Sequence, residues 1–454
     1  MPAFRYHVFA CDQRKPDGLP CCSARGSLAV IESLRREVAA QGLLDEVQVT
    51  TCGSIGLCER GPNLVVYPEG VFYSGVQTTD VAEIVREHFG RGRPVSRLAQ
   101  PDEAALKAEI TENRRRMVEA LKAREAAGAV PDDLLRAVRG YQESRVLLTA
   151  LELDVFTAVS AGATAEQVAA ARRLDARGAT LLLNALVALG MLVKRHVVFE
   201  NAPLAARYLA AGSPDDARDA LKHNLALWIR WSTLTDAVRE GHAVAVAGAA
   251  ARGDEWTVPF IAAMHRNAAL RAPVVVRAVG VERVRRLLDV GGGSGAYSIA
   301  FAQASPALEA ELLDLPSVLP IAEGHIAAAG LAGRVRTRAG DLRSDTLGAG
   351  YDLVLLSAIC HMLGPEENRD LLRRVKAALA PGGRVVVQDF LLEPDGTSPA
   401  HAALFALNML VGTPAGSSYS EEDYDSWLRA AGFADVRRVR LGGPTDLMLG
   451  TRPA

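Results

Sequence analysis

The sequence predicts a multidomain α/β protein, and three observations carry that reading. A short apolar strand, Leu287, Leu288 and Val290, runs into a glycine-rich turn at Gly291, Gly293 and Gly295, and a helix starts near Tyr297. Strand-like and helical segments then alternate toward the C-terminus, the pattern of a parallel, doubly wound sheet. Finally, five of the six cysteines (Cys11, Cys21, Cys22, Cys52 and Cys58) fall within the first 58 residues, in a stretch with its own strand-helix-strand order. A chain of 454 residues with 49% apolar side chains is long enough for two to four cores.

The charge balance excludes some classes of partner. With 51 Lys and Arg against 53 Asp and Glu, neither nucleic acid nor an anionic membrane is an expected partner. No apolar run reaches membrane-spanning length, and residues 1–10 lack the basic start and long apolar core of a signal peptide. The expected location is cytoplasmic.

The glycine turn serves a dinucleotide or S-adenosylmethionine, and Asp289 separates them. A dinucleotide brings a pyrophosphate, which an added carboxylate repels, whereas S-adenosylmethionine brings an ammonium that benefits from one. Asp314 ends a second strand, placed to take both ribose hydroxyls. A third strand near residues 335–338 leads to Gly340, Asp341 and Leu342 on the adenine side. Residues 351–357, ending at Ser357, form a fourth strand, and residues 384–389 a fifth, after the turn Pro381-Gly-Gly383. The expected cofactor set is therefore Asp289, Gly291, Gly293, Gly295, Asp314, Asp341, Leu342 and Ser357, with a nicotinamide site or a lost site as the alternatives.

In the first 97 residues, strands at 6–10 and 46–51 flank a helix at 26–42. A hairpin at 63–67 and 71–76 and a closing helix at 79–89 follow, an order that suits a thioredoxin-like domain. Cys11, Cys22, Cys52 and Cys58 supply the four thiolates that a [2Fe-2S] cluster needs; Cys21 and Cys22 are neighbours, so one is spare. A four-thiolate zinc site and inert cysteines are the alternatives. His7-Val-Phe-Ala-Cys11, Cys22-Ser-Ala-Arg-Gly-Ser27, Gly56-Leu-Cys-Glu-Arg-Gly-Pro62 and Val65-Val-Tyr-Pro-Glu-Gly70 resemble the thioredoxin-like [2Fe-2S] ferredoxins. In those proteins the third ligand usually stands four residues before the fourth, where this chain has Ser54; Cys52 lies two residues earlier.

Residues 98–130 are strongly charged and rich in helix formers, which predicts a solvated linker helix. From 131 to 245, two helices and a small hairpin make a winged-helix pattern. Its second helix, at 176–189, is almost wholly apolar from 179 onward, so burial rather than base recognition is expected. Leu151-Glu-Leu-Asp-Val-Phe-Thr-Ala-Val159, Leu186-Val-Ala-Leu-Gly-Met-Leu192 and Asp289-Val-Gly-Gly-Gly-Ser-Gly295, in this order, resemble the small-molecule O-methyltransferases. The likeness spans residues 135 to 454, with the methyltransferase domain at 246–454. It implies a homodimer through the helical region and, as methyl acceptor, a hydroxyl of a small aromatic or polyketide-like molecule. It also raises the expectation that Trp256, Phe260 and Met264 wall the acceptor pocket, whereas His265 is expected to be a solvent-side or packing residue.

Methyl transfer to a hydroxyl calls for a base. His361 follows the fourth strand at its ligand-facing end, and an imidazole near its ordinary pKa of about 6.5 suits that task. The position matches the family's general-base histidine, and Asp389 matches the first of two acids that hold it. Ser418 stands where the second acid is usual, and Met362 where an Asp is common. Asn408 and Met409 add a polar and an apolar wall. Cys360, beside His361, is expected to be inert. Because O-methylation needs no electrons, two further readings stay open: a redox enzyme that binds S-adenosylmethionine and draws electrons from a redox partner through the cluster, or a redox-sensing binding protein.

Overall fold

The computed structural model describes residues 4–15, 19–100, 102–213, 215–244 and 254–454, without the side chains of 254–256 and 258. Contacts divide the chain into two compact units, Met1–Gly140 and Tyr141–Ala454.

In the first unit, strands β1 (Tyr6–Cys11) and β2 (Val47–Cys52) pair in parallel around helix α1 (Ser27–Ala40). Strand β3 (Asn63–Tyr67) lies antiparallel to β1 and carries β4 (Val71–Ser74), giving the order β2-β1-β3-β4. Alternation in β1 sends Tyr6, Val8 and Ala10 into a core with Leu34, Val38 and Leu64. Helix α2 (Val81–Glu83) runs on into a π-helical turn, Ile84–Gly90. Helix α3 (Glu103–Ala126) starts at Asp102, whose carboxylate accepts the Ala105 N–H, and buries only Leu106. It is more than a spacer: Asn113 Nδ2 donates to the Gly56 carbonyl at 2.8 Å, and Arg60 pairs with Glu109, so its first half braces the loop between β2 and β3.

The unit boundary falls inside α4 (Asp132–Glu152), which leads to α5 (Val155–Ala158) and the winged-helix region. Helices α6 (Ala165–Arg172) and α7 (Ala176–Ala188) pack against a three-stranded sheet of β5 (Ala163–Thr164), β6 (Leu192–Arg195) and β7 (Val198–Asn201). Thr164 and Gln167 form a capping box on α6. The apolar helix α7, expected to be buried rather than to read bases, is buried along one face. Only one face, with Ala179, Leu183 and Leu186, enters the core, and Leu181 is 55% exposed. Three-residue apolar runs cover more of a helix than one core can bury.

After α8 (Pro203–Tyr208), α9 (Arg218–Trp231), α10 (Leu234–Glu240) and α11 (Asp254–Val279), the largest sheet begins. Its strands are β8 (Arg286–Val290), β9 (Glu309–Asp314), β10 (Val335–Ala339), β11 (Tyr351–Ser357), β12 (Leu379–Asp389), β13 (Ala434–Val439) and β14 (Asp446–Thr451). The connecting helices are α12 (Ala296–Ala304), α13 (Leu319–Ala328), α14 (Pro365–Ala378), α15 (Ala400–Gly412) and α16 (Glu421–Ala430). Successive residues serve opposite cores: Leu287, Leu353 and Val386 pack on one face, and Leu288, Val354 and Val387 on the other.

Two expectations about this sheet are revised. It is mixed rather than parallel, with order β10-β9-β8-β11-β12-β14-β13, because β14 runs antiparallel to β12 and β13 pairs antiparallel with β14. Pro381-Gly-Gly383 is a bulge inside β12 rather than a turn before it, lying between the pairs Tyr351–Leu379 and Leu353–Arg384. Among the described residues, no helix is long and apolar enough to cross a membrane.

Candidate active site

The parallel strands β8, β9, β10 and β11 bring their C-terminal ends to one edge of the sheet, with Ala339 paired to Asp314 and Leu355 to Asp289. At that edge the glycine turn leaves β8 with Gly291 at φ +67°, and a side chain there would collide with Ile359 Cδ1. Asp289 lies beneath the turn at 1% exposure and accepts the Ser298 hydroxyl at 2.7 Å through Oδ2. Its Oδ1 has no hydrogen-bond partner among the described residues. Burial, helped by the nearby Asp314 carboxylate, pushes the Asp289 carboxyl up to about 6.

Asp314 is oriented by the turn itself. Its Oδ2 accepts the Gly293 N–H and its Oδ1 the Leu315 N–H, both at 2.7 Å. Burial raises this carboxyl also. Asp341 and Leu342 are half-buried beyond β10, where Asp341 accepts the Arg343 N–H at 2.9 Å. Ser357 donates to Gln388 Oε1 at 3.0 Å.

Of the two places expected for His265, solvent side or packing, the structure shows packing. His265, on α11, is half-buried, its Nδ1 is 2.9 Å from Ser294 Oγ in the glycine turn, and its ring stacks on His325 at 3.9 Å between centroids. It supports the turn rather than facing solvent. Helical spacing could not show this, because Ser294 is 29 residues away along the chain.

His361 sits in the short turn after β11, 6% exposed. Its Nδ1 is 2.7 Å from Asp389 Oδ1. A carboxylate only accepts, so Nδ1 carries the proton and Nε2 is left as an acceptor. Asp389 is itself held by three other donors: the His361 N–H at 3.1 Å, the Phe390 N–H at 2.9 Å and the Tyr424 hydroxyl at 3.0 Å. Phe405 meets the His361 ring edge-on at 4.8 Å.

Sequence reasoning missed Tyr424. Burial keeps its hydroxyl protonated and therefore a donor. Ser418 does not reach the imidazole; its hydroxyl donates to the Ala402 carbonyl at 2.8 Å. Met362 packs against the core. Cys360 is fully buried, and its thiol is pushed up by that burial, which removes it as a nucleophile.

Of the expected acceptor walls, the side chain of Trp256 lies outside the described residues. Phe260 and Met264 are half-buried on α11, Phe260 lying edge-on to His223 at 5.2 Å. Asn408 Oδ1, on α15, accepts the Trp231 indole N–H at 3.0 Å, which ties α15 to α9, and Met409 beside it is buried.

The first unit holds a separate cluster of thiols. Cys22 reaches both Cys11 and Cys58 by hydrogen bonds, and Asn63 Nδ2 points at its sulfur at 3.3 Å. Cys22 keeps the shared proton. The Cys11 thiol falls to about 6 and that of Cys58 to about 5, each chiefly through the bond from Cys22. Cys52 was also expected in this set. It stands opposite Cys11 in the register of β1 and β2, and its thiol is pushed up to about 11 by burial and then by the Cys11 charge. Cys21 is buried apart from these contacts. Among the described residues, no three or more Cys, His, Asp or Glu side chains are arranged to hold a single ion.

Comparison with known proteins bears on the second unit. A model of the O-methyltransferase domain matches residues 231–434, and a model of the O-methyltransferase dimerisation domain matches residues 135–211. The 3-hydroxy-5-methyl-1-naphthoate 3-O-methyltransferase of Streptomyces sahachiroi is 36% identical over 323 residues, covering 69% of this chain and 92% of that protein. The tetracenomycin polyketide synthesis 8-O-methyl transferase TcmO of Streptomyces glaucescens is 30% identical over 334 residues, or 71% of this chain and 97% of that one. The crystal structure of human N-acetylserotonin methyltransferase in complex with SAM superposes with a TM-score of 0.63 at 27% identity, covering 71% of this chain and 97% of the other. The chain belongs to the O-methyltransferase family and is an S-adenosylmethionine-dependent O-methyltransferase.

Proposed function

We propose that this enzyme methylates a hydroxyl of a small aromatic or polyketide-like metabolite, with His361 as general base. The observation that carries this is the His361–Asp389 pair at the strand edge that also presents the glycine turn. Asp389 holds the imidazole so that Nε2 accepts the hydroxyl proton, and the imidazolium that forms faces a buried carboxylate. S-adenosylmethionine supplies the electrophilic methyl group. The turn suits its amino-acid end, since the unpaired, buried Asp289 Oδ1 is matched by an ammonium. Gly291, Gly293 and Gly295 line its approach, Asp314 takes the ribose, and Asp341, Leu342 and Ser357 flank the base and sulfonium sides. Phe260, Met264, Asn408 and Met409 wall the acceptor. The aromatic acceptor class takes support from the naphthoate and tetracenomycin O-methyltransferases of Streptomyces that the chain resembles. An imidazole held by Asp389 with Nε2 left as an acceptor suits proton removal and favours transfer over the redox alternative.

The dimer forms through residues 131–245, where Tyr141 and Leu181 expose apolar surface that a partner subunit would cover. Residues 1–97 form a thioredoxin-like domain for a [2Fe-2S] cluster of regulatory or electron-transfer role, joined by residues 98–130 to the dimerisation region and the methyltransferase domain at 246–454. Three converging thiols fit such a cluster, in which each iron takes two protein ligands.

The test is methyl transfer from labelled S-adenosylmethionine to a panel of hydroxylated naphthoates and polyketides, followed by mass spectrometry. His361→Ala should lose product roughly 10²-fold or more while binding the cofactor normally. Unchanged turnover would eliminate His361 as the base.

A further inference from the structure

We propose that the fourth protein ligand of the cluster is the hydroxyl oxygen of Ser54, and that Cys52 is a bystander. The inference rests on the [2Fe-2S] reading above and makes it specific. A two-iron cluster needs its ligands in pairs, and two atoms on one tetrahedral metal stand about 3.5 Å apart, given metal–ligand bonds of roughly 2.0–2.3 Å. Ser54 Oγ lies 3.2 Å from Cys58 Sγ, already close to that spacing, while Cys11 and Cys22, near enough to perturb each other, form the second pair.

The loop supports an oxygen ligand. The Gly56 N–H donates to Ser54 Oγ at 3.2 Å, a bond that stabilises negative charge on the oxygen once its proton is lost. Asn113 of α3 holds the Gly56 carbonyl at 2.8 Å, so the turn that presents Ser54 is braced from outside. Lys15 lies against Cys58 and offsets the charge of that pair. Cys52 stands opposite Cys11 in strand register, and among the described residues no hydrogen bond pairs its sulfur with Cys58 as one pairs the Ser54 hydroxyl. Cys22 alone of the adjacent cysteines contacts the others, which leaves Cys21 outside the site. Loading is a ligand exchange without change of oxidation state: three thiols and one hydroxyl lose their remaining protons to solvent as two ferric ions and two sulfides bind.

The experiment is anaerobic reconstitution of the full chain with iron and sulfide, comparing wild type with Cys52→Ala, Ser54→Ala and Ser54→Cys. Iron and sulfide content, absorption, and spin resonance after dithionite reduction are the readouts. Far-UV circular dichroism and thermal unfolding of each apo protein confirm that it folds. Cys52→Ala should match wild type, with two irons and two sulfides per chain. Ser54→Ala should lose more than half of the bound cluster. Ser54→Cys should keep the cluster and move its charge-transfer bands to longer wavelength, since a thiolate is softer and more easily oxidised than an alkoxide. Loss of the cluster in folded Cys52→Ala, or its full retention in Ser54→Ala, overturns the serine assignment alone. A wild-type chain that takes up no iron and sulfide overturns the cluster reading itself, and the serine assignment with it.

Discussion

Replacing Asp289 with Asn removes a charge from beneath the glycine turn with little change of shape. In the free enzyme, burial holds this carboxyl at about 6, against an ordinary value near 4, so ionising it inside the fold costs about 3 kcal/mol. The sign follows from proton binding. Between about pH 4 and 6 the folded state keeps a proton that the unfolded state has released, so this group's contribution to stability falls as pH rises through that window. Cofactor binding reverses the preference, because an ammonium beside Oδ1 favours the carboxylate. Wild-type affinity for S-adenosylmethionine should therefore weaken as pH falls below about 6, approaching tenfold per pH unit and about 10² in all by pH 4. Calorimetric titration from pH 4.5 to 8, with unfolding of the free proteins in urea, measures both. Asp289→Asn should bind more weakly at neutral pH and show a flatter affinity profile. Wild-type unfolding free energy should fall relative to the variant's as pH rises. Parallel profiles in the two proteins would refute a buried, cofactor-facing charge at this position.

Asp389→Asn should lower kcat roughly 10²–10⁴-fold with cofactor affinity unchanged, because the amide no longer fixes the Nδ1–H tautomer. Raising the pH toward the acceptor's own pKa should restore part of that rate, and a pH-independent deficit would argue against loss of base function. Tyr424→Phe removes one donor from a buried carboxylate, so it should cost about 1–2 kcal/mol in unfolding experiments and reduce kcat only a few-fold. Gly291→Ala forces a side chain into a left-handed backbone position against Ile359 and should abolish measurable S-adenosylmethionine binding by calorimetry before it abolishes folding.

Much of the molecule was legible along the chain because its signals are local. Period-two and helical apolar patterns placed the strands and helices of both units, since a strand or helix must bury the face that its own sequence makes apolar. The turn from Asp289 to Gly295 announces a nucleotide-type ligand because φ +67° at Gly291 is a backbone property of that residue. Two antiparallel strands escaped notice: β13 presents mostly polar or half-buried residues at the sheet edge, and the direction of β14 depends on its pairing with β12. Tertiary structure alone decided the contacts that do the chemistry. Asp389 is 28 residues from His361 and Tyr424 a further 35 beyond Asp389; no periodicity links them, and only the packing of α16 against the sheet makes Tyr424 a donor to the acid. The same holds for His265 on Ser294, and for Cys22 choosing Cys11 and Cys58 over Cys52. Residue types say which bonds are available. Distances, set by the packing of the rest of the core, determine which are made.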